Sequence, residues 1–454
     1  MSRISYLSEL LSSVFARDES QHQGEGQGSL SELCDALLSQ RGEMSGHRLA
    51  RGLLNRFAAA DPDEQLVFFR LMADRYDINA EHALRAAQRY SEEKSADNLS
   101  ILMESVEPRR QELLRRLNRV PGATNELVRM RAQLLAACRE HPELRCIDVD
   151  FQHLFRSWFN RGFLVLREID WHSPASILEK IIAYEAVHAI NSWSSLRSRL
   201  EPDDRRCFAF FHPAMVDEPL IFVEVALTRS TPTSIRQVLQ TTRDIVPQQE
   251  ATTAVFYSIS NCQKGLAGVS FGNFLIKQVA QELSRQLPNL EIYRTLSPVP
   301  GLMRWVDKAL DSAELQPAAA ESEVAEEQGR LHDALQTAQR IAAMDTFELI
   351  EGDNEHLKFL TAHYLKNEKR ADKLPLDPVA RFHLGNGASL DQVLPAADVF
   401  RKGLSQSAGV MVSYLYDLDK VEDNHEAYAN ENVVKVSQEV DALLARPKRT
   451  LRRA

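Results

Sequence analysis

Two side chains in this sequence stand where the surrounding backbone would expose a hydroxyl and enclose an imidazole: Ser297 and His383. Ser297 closes an apolar run and precedes Pro298 and Pro300, which cannot continue a hydrogen-bonded ladder, so a strand ends there. Its hydroxyl either contacts a ligand or caps the turn. His383 lies between Phe382 and Leu384, a setting in which the pKa follows burial and partners. It is either a proton donor or a core histidine satisfied by hydrogen bonds. Asn386, between Gly385 and Gly387, orients that ring, binds ligand or makes a turn. A third feature is the small-residue stretch Asn261–Gly268, set between an apolar run and a helical pattern. Amides at such a helix start, with the positive end of the helix dipole, form a seat for a pyrophosphate. Lys264 and Lys277 are candidate phosphate cations, with ordinary solvated lysines as the plainer reading. Ser258 and Ser260 share a strand face and could line an acyl pocket. Gly268 and Gly272 allow close backbone approach, and the Gly268 amide is a candidate oxyanion donor, with helix packing as the rival reading. Tyr416 either closes the pocket or is an aromatic core residue. The stretch Thr252–Gly301 reads as a thioester-binding core.

The elements that position them follow from residue pattern. Thr252–Ser260 is rich in β-branched and aromatic residues and reads as a buried strand. Phe271, Phe274, Leu275, Val279 and Leu283 recur at helical spacing. Leu290–Ser297 supplies the next strand. Upstream, Arg206–Pro213 and Leu220–Thr228 read as adjacent antiparallel strands, and Ser173–Leu200 as one long helix capped by Ser173. Before residue 160 the pattern is almost continuously helical, with segments near 30–40, 47–59, 63–76, 79–93, 110–119 and 123–140. Asp61 and Pro62 start one of them. Gln21–Ser29 reads as a loop, Pro317–Gly329 as an exposed acidic excursion, and the basic C-terminal residues as a solvated tail.

With 454 residues, two domains with full cores are expected. A hydrophobic content of 44% argues against a disordered chain, and no uncharged run approaches the roughly 20 residues that span a bilayer. A soluble protein without a membrane partner is expected. The formal charge of −10 argues against nonspecific nucleic-acid binding but permits a local basic pocket. Cys34, Cys138, Cys146, Cys207 and Cys262 are scattered without the paired spacing of a zinc site, so no metal and a reducing compartment are expected. Cys262, in the turn, is either redox-sensitive or a small filler. The N-terminal residues lack the apolar core of a secretory signal, and a cytoplasmic location is the expectation.

The segments Arg206–Pro213, Thr252–Gly301 and Asp377–Ala388 closely resemble the malonyl-CoA decarboxylase family, and the likeness spans most of the chain. It implies an α+β protein: an all-helical N-terminal bundle for oligomerisation, residues 1–160, followed by a GNAT acetyltransferase-like mixed α/β catalytic domain, residues 161–454. It implies conversion of malonyl-CoA to acetyl-CoA and carbon dioxide, in fatty acid metabolism, by a homo-oligomer of which a tetramer is one form. The family's catalytic serine falls on Ser297 and its catalytic histidine on His383. Its CoA-binding turn falls on Ala267, Gly268, Val269, Ser270, Phe271, Gly272 and Asn273, and an active-site tyrosine on Tyr416. The usual acetyltransferase turn carries Gln or Arg, then Gly, then Gly or Ala, where this chain has Ala267, Ser270 and Gly272; only the last fits. Losing carbon dioxide from a malonyl thioester leaves an enolate. The catalyst must hold the carboxylate out of the thioester plane, stabilise the oxyanion and protonate the carbanion, with no cofactor required. No nucleophile elbow suggests an acyl-serine. The alternatives are an acyl-CoA N-acyltransferase and a noncatalytic CoA-thioester sensor.

Overall fold

The computed structural model describes residues 28–39, 42–269, 271, 275–312 and 323–445. The chain forms two compact units. The first runs to Val165 and takes in Phe211–Glu218 and Gln263–Phe271; the second holds Leu166–Phe210, Pro219–Cys262 and the described residues after Phe271.

The first unit is helical: α1 (Leu30–Ser39), α2 (Glu43–Ala59), α3 (Pro62–Arg75), α4 (Ala80–Glu92), α5 (Ala96–Ser105), α6 (Arg109–Leu117), α7 (Ala123–Ala137) and α8 (Arg145–Trp158). Asp61 and Glu64 close a reciprocal capping box at the start of α3, with Pro62 in its first turn, as the sequence led one to expect. Helices α5 and α8 are additional to the segments read from sequence. In α8, Ile147, Phe151, Leu154 and Phe155 recur at three- and four-residue spacing and are buried. Phe57, Phe68 and Phe69 form an aromatic cluster with ring centroids 5.1 to 5.9 Å apart. Buried charge in this unit is paired: Arg110 meets Asp150 and Asp77, and Arg131 donates to Asp148 at 2.7 Å.

The sheet belongs to the second unit but for its end residues Val165 and Phe211: β1 (Val165–Glu168), β2 (Arg205–Phe211), β3 (Pro219–Thr228), β4 (Thr253–Asn261), β5 (Ile292–Thr295), β6 (Ser297–Pro298), β7 (Ser389–Leu394) and β8 (Met411–Leu415). The order is β1-β2-β3-β4-β5-β8-β6, with β7 on the other side of β8. The sheet is mixed, β4 running parallel to β5 while β3 and β4, and β8 with its neighbours, are antiparallel. A helical region followed by a mixed α/β domain is the α+β arrangement expected from the sequence. Its helices are α9 (Ala175–Tyr184), α10 (Trp193–Leu200), α11 (Ile235–Leu239), α12 (Leu275–Gln286), α13 (Leu302–Asp311), α14 (Glu323–Ala342), α15 (Asp353–Lys366), α16 (Pro378–Gly385), α17 (Arg401–Ser407), α18 (Val421–Glu431) and α19 (Gln438–Leu444).

The single helix expected over Ser173–Leu200 is instead two. The Glu185 carboxylate accepts the amides of Val187 and His188 at 2.9 and 2.6 Å, which closes a turn after α9. Ser192 then caps α10 by accepting from Ser195 N at 3.1 Å. Pro174, not Ser173, precedes the first helical residue, and the Ser173 hydroxyl lies on Asp170. Of the helix expected from Phe271 onward, Phe271 itself is not helical, Gly272, Asn273 and Phe274 lie outside the described residues, and the described helix is Leu275–Gln286. Of the expected loops and tail, residues 21–27, residues 317–322 and the chain after Ala445 lie outside the described residues. Among the described residues no helix is long and apolar enough to cross a membrane.

Candidate active site

Ser297 begins β6, two residues past the end of β5, and pairs in register with Val412 of β8. Thr295 is the last residue of β5, and the period-two alternation of an extended chain puts it on the same side as Ser297. The Ser297 hydroxyl donates to Thr295 Oγ1 at 2.9 Å, and Thr295 Oγ1 also accepts the amide of Tyr414 at 3.1 Å. His383 Nε2 lies 3.0 Å from Ser297 Oγ, and Nδ1 lies 2.9 Å from Tyr416 Oη. The imidazole stacks on the Tyr414 ring, centroids 4.5 Å apart and planes 24° from parallel. All of these residues are buried.

Burial sets the protonation state. Desolvation pushes the His383 imidazole down to about 3 and the Tyr416 phenol well above its usual range. At neutral pH the site is therefore a neutral ring between two hydroxyls. It can pass a proton to a strongly basic carbon, and no charged partner among the described residues competes for that proton.

Helix α16 carries His383 in its last turn. Asp377 caps it, one carboxylate oxygen accepting Val379 N and Ala380 N at 2.9 Å each, and Pro378 occupies the first turn. The other end turns at Gly387, whose φ is +84° and where an added Cβ would meet Val421 O at 2.1 Å. Asn386, at this end, bonds within the protein: its Oδ1 accepts Leu275 N at 3.1 Å, and its Nδ2 donates to Phe382 O at 2.8 Å. It joins the first residue of α12 to the helix that carries His383.

Ser258 and Ser260 take a different environment. Glu224 pairs with Ser258, whereas Val225 pairs with Phe256, so Tyr257 is an extra residue and β4 carries a bulge. Because Glu224 and Val225 lie on opposite faces of β3, Ser258 lies on the face opposite Phe256, whose ring contacts Tyr416. The Ser258 hydroxyl lies 2.9 and 2.8 Å from the two Glu185 carboxylate oxygens, and Ser260 Oγ accepts Ala186 N. The structure thus brings Ser297, His383 and Tyr416 together and directs Ser258 to Glu185.

In the small-residue turn, the amides of Ala267 and Val269 bond back to Lys264 O and Leu266 O at 3.1 and 3.0 Å. Gly268 adopts φ of +74°. Gly265 must be glycine, since a Cβ would lie 1.8 Å from Val128 O, and its carbonyl accepts from Arg131 at 2.7 Å. Phe271 is buried against Phe159. Ser270, Gly272 and Asn273 lie outside the described residues. Lys264 is exposed, and Lys277 pairs with Glu422. Cys262 is buried, its thiol 3.7 Å from Ser260 O.

Sequence reasoning passed over Thr295, Glu185, Asp377 and Tyr414. Thr295 had a signal, its two-residue spacing from Ser297, and Asp377 another, its place before Pro378. Glu185 had none, because its partners are 73 and 75 residues away. A cavity of about 830 Å³ beside the end of β3, lined by Thr228, Arg229, Thr231 and Arg243, includes none of the site residues. Among the described residues, no three His, Cys, Asp or Glu side chains are grouped to share a metal ion.

Comparison with known proteins places this geometry in context. Residues 162–454 match the family model described as the malonyl-CoA decarboxylase C-terminal domain, and residues 76–159 match the N-terminal domain of the same family. Crystal structures of malonyl-CoA decarboxylase from Rhodopseudomonas palustris and Agrobacterium vitis are each 47% identical. They cover 91% and 92% of this chain, and 98% and 100% of their own, with TM-scores of 0.84 and 0.82. The mitochondrial malonyl-CoA decarboxylase of Anser anser anser is 34% identical over 348 residues, which is 73% of this chain and 69% of that protein.

Proposed function

The chain belongs to the malonyl-CoA decarboxylase family, and we propose that His383, held by Ser297 and Tyr416, supplies the proton that completes its reaction. The protein is a carboxy-lyase that converts malonyl-CoA to acetyl-CoA and carbon dioxide. Family membership selects this activity over acyl transfer and over a noncatalytic sensor.

In the proposed reaction the bond between the α-carbon and the carboxylate breaks, carbon dioxide leaves, and the electron pair passes into the thioester as an enolate. A proton then moves from His383 Nε2 to the α-carbon. Such an enolate is a far stronger base than the conjugate base of a neutral imidazole, so a ring with no positive charge suffices as acid. Ser297 holds the Nε2 edge of the ring and Tyr416 the Nδ1 edge, which fixes the direction of transfer. The observation that carries this reading is the buried contact of 3.0 Å between Ser297 Oγ and His383 Nε2, backed by Tyr416 at 2.9 Å. The turn from Ala267 to Asn273 is the proposed seat of the CoA phosphates, supported by its small residues and by the start of α12 just beyond it in the chain. We assign residues 1–160 to subunit association in a homo-oligomer, residues 161–454 to catalysis, and a cytoplasmic location to the whole.

The test is release of carbon dioxide and acetyl-CoA from malonyl-CoA by the wild type beside His383→Asn and Ser297→Ala, each shown to be folded. Both variants are expected to lose at least about 100-fold in kcat, the lower end of what positioned acid–base catalysis contributes. A fully active His383→Asn protein would remove His383 as proton donor.

A further inference from the structure

We propose that Thr295 is a positioning residue that keeps the proton of the His383 ring on Nε2, the nitrogen facing Ser297. This inference rests on the reading of His383 as the proton donor. A neutral imidazole carries one ring proton, and either nitrogen can hold it. Which one does is set by the neighbouring hydroxyls, and their proton directions are linked. Ser297 has one hydroxyl proton, and it goes to Thr295 Oγ1 at 2.9 Å. Thr295 Oγ1 faces the Ser297 hydroxyl on one side and the amide of Tyr414, 3.1 Å away, on the other. An amide can only donate, so it holds one lone pair of Thr295 Oγ1 against the backbone of β8, and the Ser297 hydroxyl donates to the other.

With its proton committed to Thr295, Ser297 Oγ can meet His383 Nε2 at 3.0 Å only as an acceptor, so Nε2 carries the hydrogen. Nδ1 is then bare, and Tyr416 Oη, 2.9 Å away, donates to it. The chain of donors runs one way: Tyr416 to His383, His383 to Ser297, Ser297 to Thr295. Proton transfer from Nε2 to the α-carbon breaks one N–H bond and makes one C–H bond. The Tyr416 proton can follow onto Nδ1, and solvent restores it after product leaves. Removing the Thr295 hydroxyl reverses the chain. The Ser297 proton then has His383 Nε2 as its nearest acceptor, the ring proton moves to Nδ1, and the nitrogen that should deliver the proton has none.

The experiment compares wild type, Thr295→Val, Thr295→Ser and His383→Asn in the full chain, with the two threonine variants also studied by nitrogen NMR of proteins labelled in histidine. Val has nearly the volume of Thr but no hydroxyl; Ser keeps the hydroxyl. Thr295→Val is expected to lose about 100-fold in kcat with KM for malonyl-CoA within about threefold of wild type. Thr295→Ser should retain kcat within about threefold. The His383 ring proton is expected on Nε2 in wild type and Thr295→Ser, and on Nδ1 in Thr295→Val. Wild-type kcat in Thr295→Val beside an inactive His383→Asn would overturn the role of Thr295 alone. Activity in His383→Asn would overturn the reading beneath it. The tautomer is read without turnover, so a ring proton found on Nδ1 in the wild type would also overturn the proposal, even if Thr295→Val were too unstable to assay.

Discussion

A neutral imidazole buried to 2% exposure needs partners for both ring nitrogens, because an orphaned buried polar group costs about 1 to 3 kcal/mol. Ser297 and Tyr416 supply them, so the enclosure that keeps the ring uncharged does not leave it unsatisfied. The same enclosure makes stability depend on pH. The folded-state pKa of about 3 lies below the ordinary 6.5, so between those values the unfolded chain binds a proton that the folded site refuses. The stabilisation is present above about pH 6.5 and is lost as the pH falls toward 3, at about 1.4 kcal/mol per unit. Between pH 7 and pH 5.5, denaturant unfolding should show the wild type losing about 1 kcal/mol more than His383→Gln. His188, also held down to about 3 by burial, remains in both proteins and drops out of the difference. Equal losses would mean that His383 is not enclosed as a neutral ring. At this scale, Ser297 was legible from the prolines after it and His383 from its apolar neighbours, but only the family likeness chose chemistry over a turn cap and a core histidine. The surroundings of Ser258 were not legible, because one extra residue at Tyr257 reverses which face the following side chains take.

Helix α16 is short, and a helix of eight residues has little stability of its own, so its end contacts decide where His383 points. Asp377 satisfies two of its first amides and lies at the other end of the helix from the imidazole. Replacing Asp377 with Ala removes the cap and should lower unfolding stability by about 1 to 2 kcal/mol. kcat should fall as well, because the frayed helix no longer holds the 3.0 Å contact with Ser297. Asp377→Asn keeps a capping oxygen and should recover most of both losses. An Ala variant with wild-type melting temperature and kcat would show that α16 is held by packing alone. Among the elements, strands β3 and β4 could be read from β-branched and aromatic runs, and α3 from its cap and proline. The break between α9 and α10 could not. Apolar spacing continues across it, and what stops the helix is a carboxylate that folds back on two amides.

For the whole molecule, the change from helical pattern to strand pattern near residue 160 was legible because local periodicity reports it directly. Membership of Phe211–Glu218 and Gln263–Phe271 in the first unit was not, since the contacts that bring them there are far apart in sequence, 54 residues between Trp158 and His212 and 134 between Arg131 and Gly265. The proposed subunit association rests on the helical unit. Helices α4 and α5 pack on each other, yet α4 buries only Ala86 and α5 buries the polar Asn98 and Ser105. Leu84 on α4, Leu99 and Met103 one turn apart on α5, and Val106 just beyond it are exposed. A helix pair that leaves its apolar residues in water gains about 1.5 to 3 kcal/mol for each such side chain that a second copy covers. Light scattering should therefore give the wild type a multiple of the 51.4 kDa chain mass, and Leu84→Glu with Met103→Glu should lower it. The double variant should keep its kcat per chain, because Ser297, His383, Tyr416 and Thr295 all belong to the second unit. A wild type that scatters as a single chain would end the assignment of this hairpin to assembly. An unchanged multiple in the double variant would move the contact to another face of the helical unit, where Val67 and Val149 are also exposed.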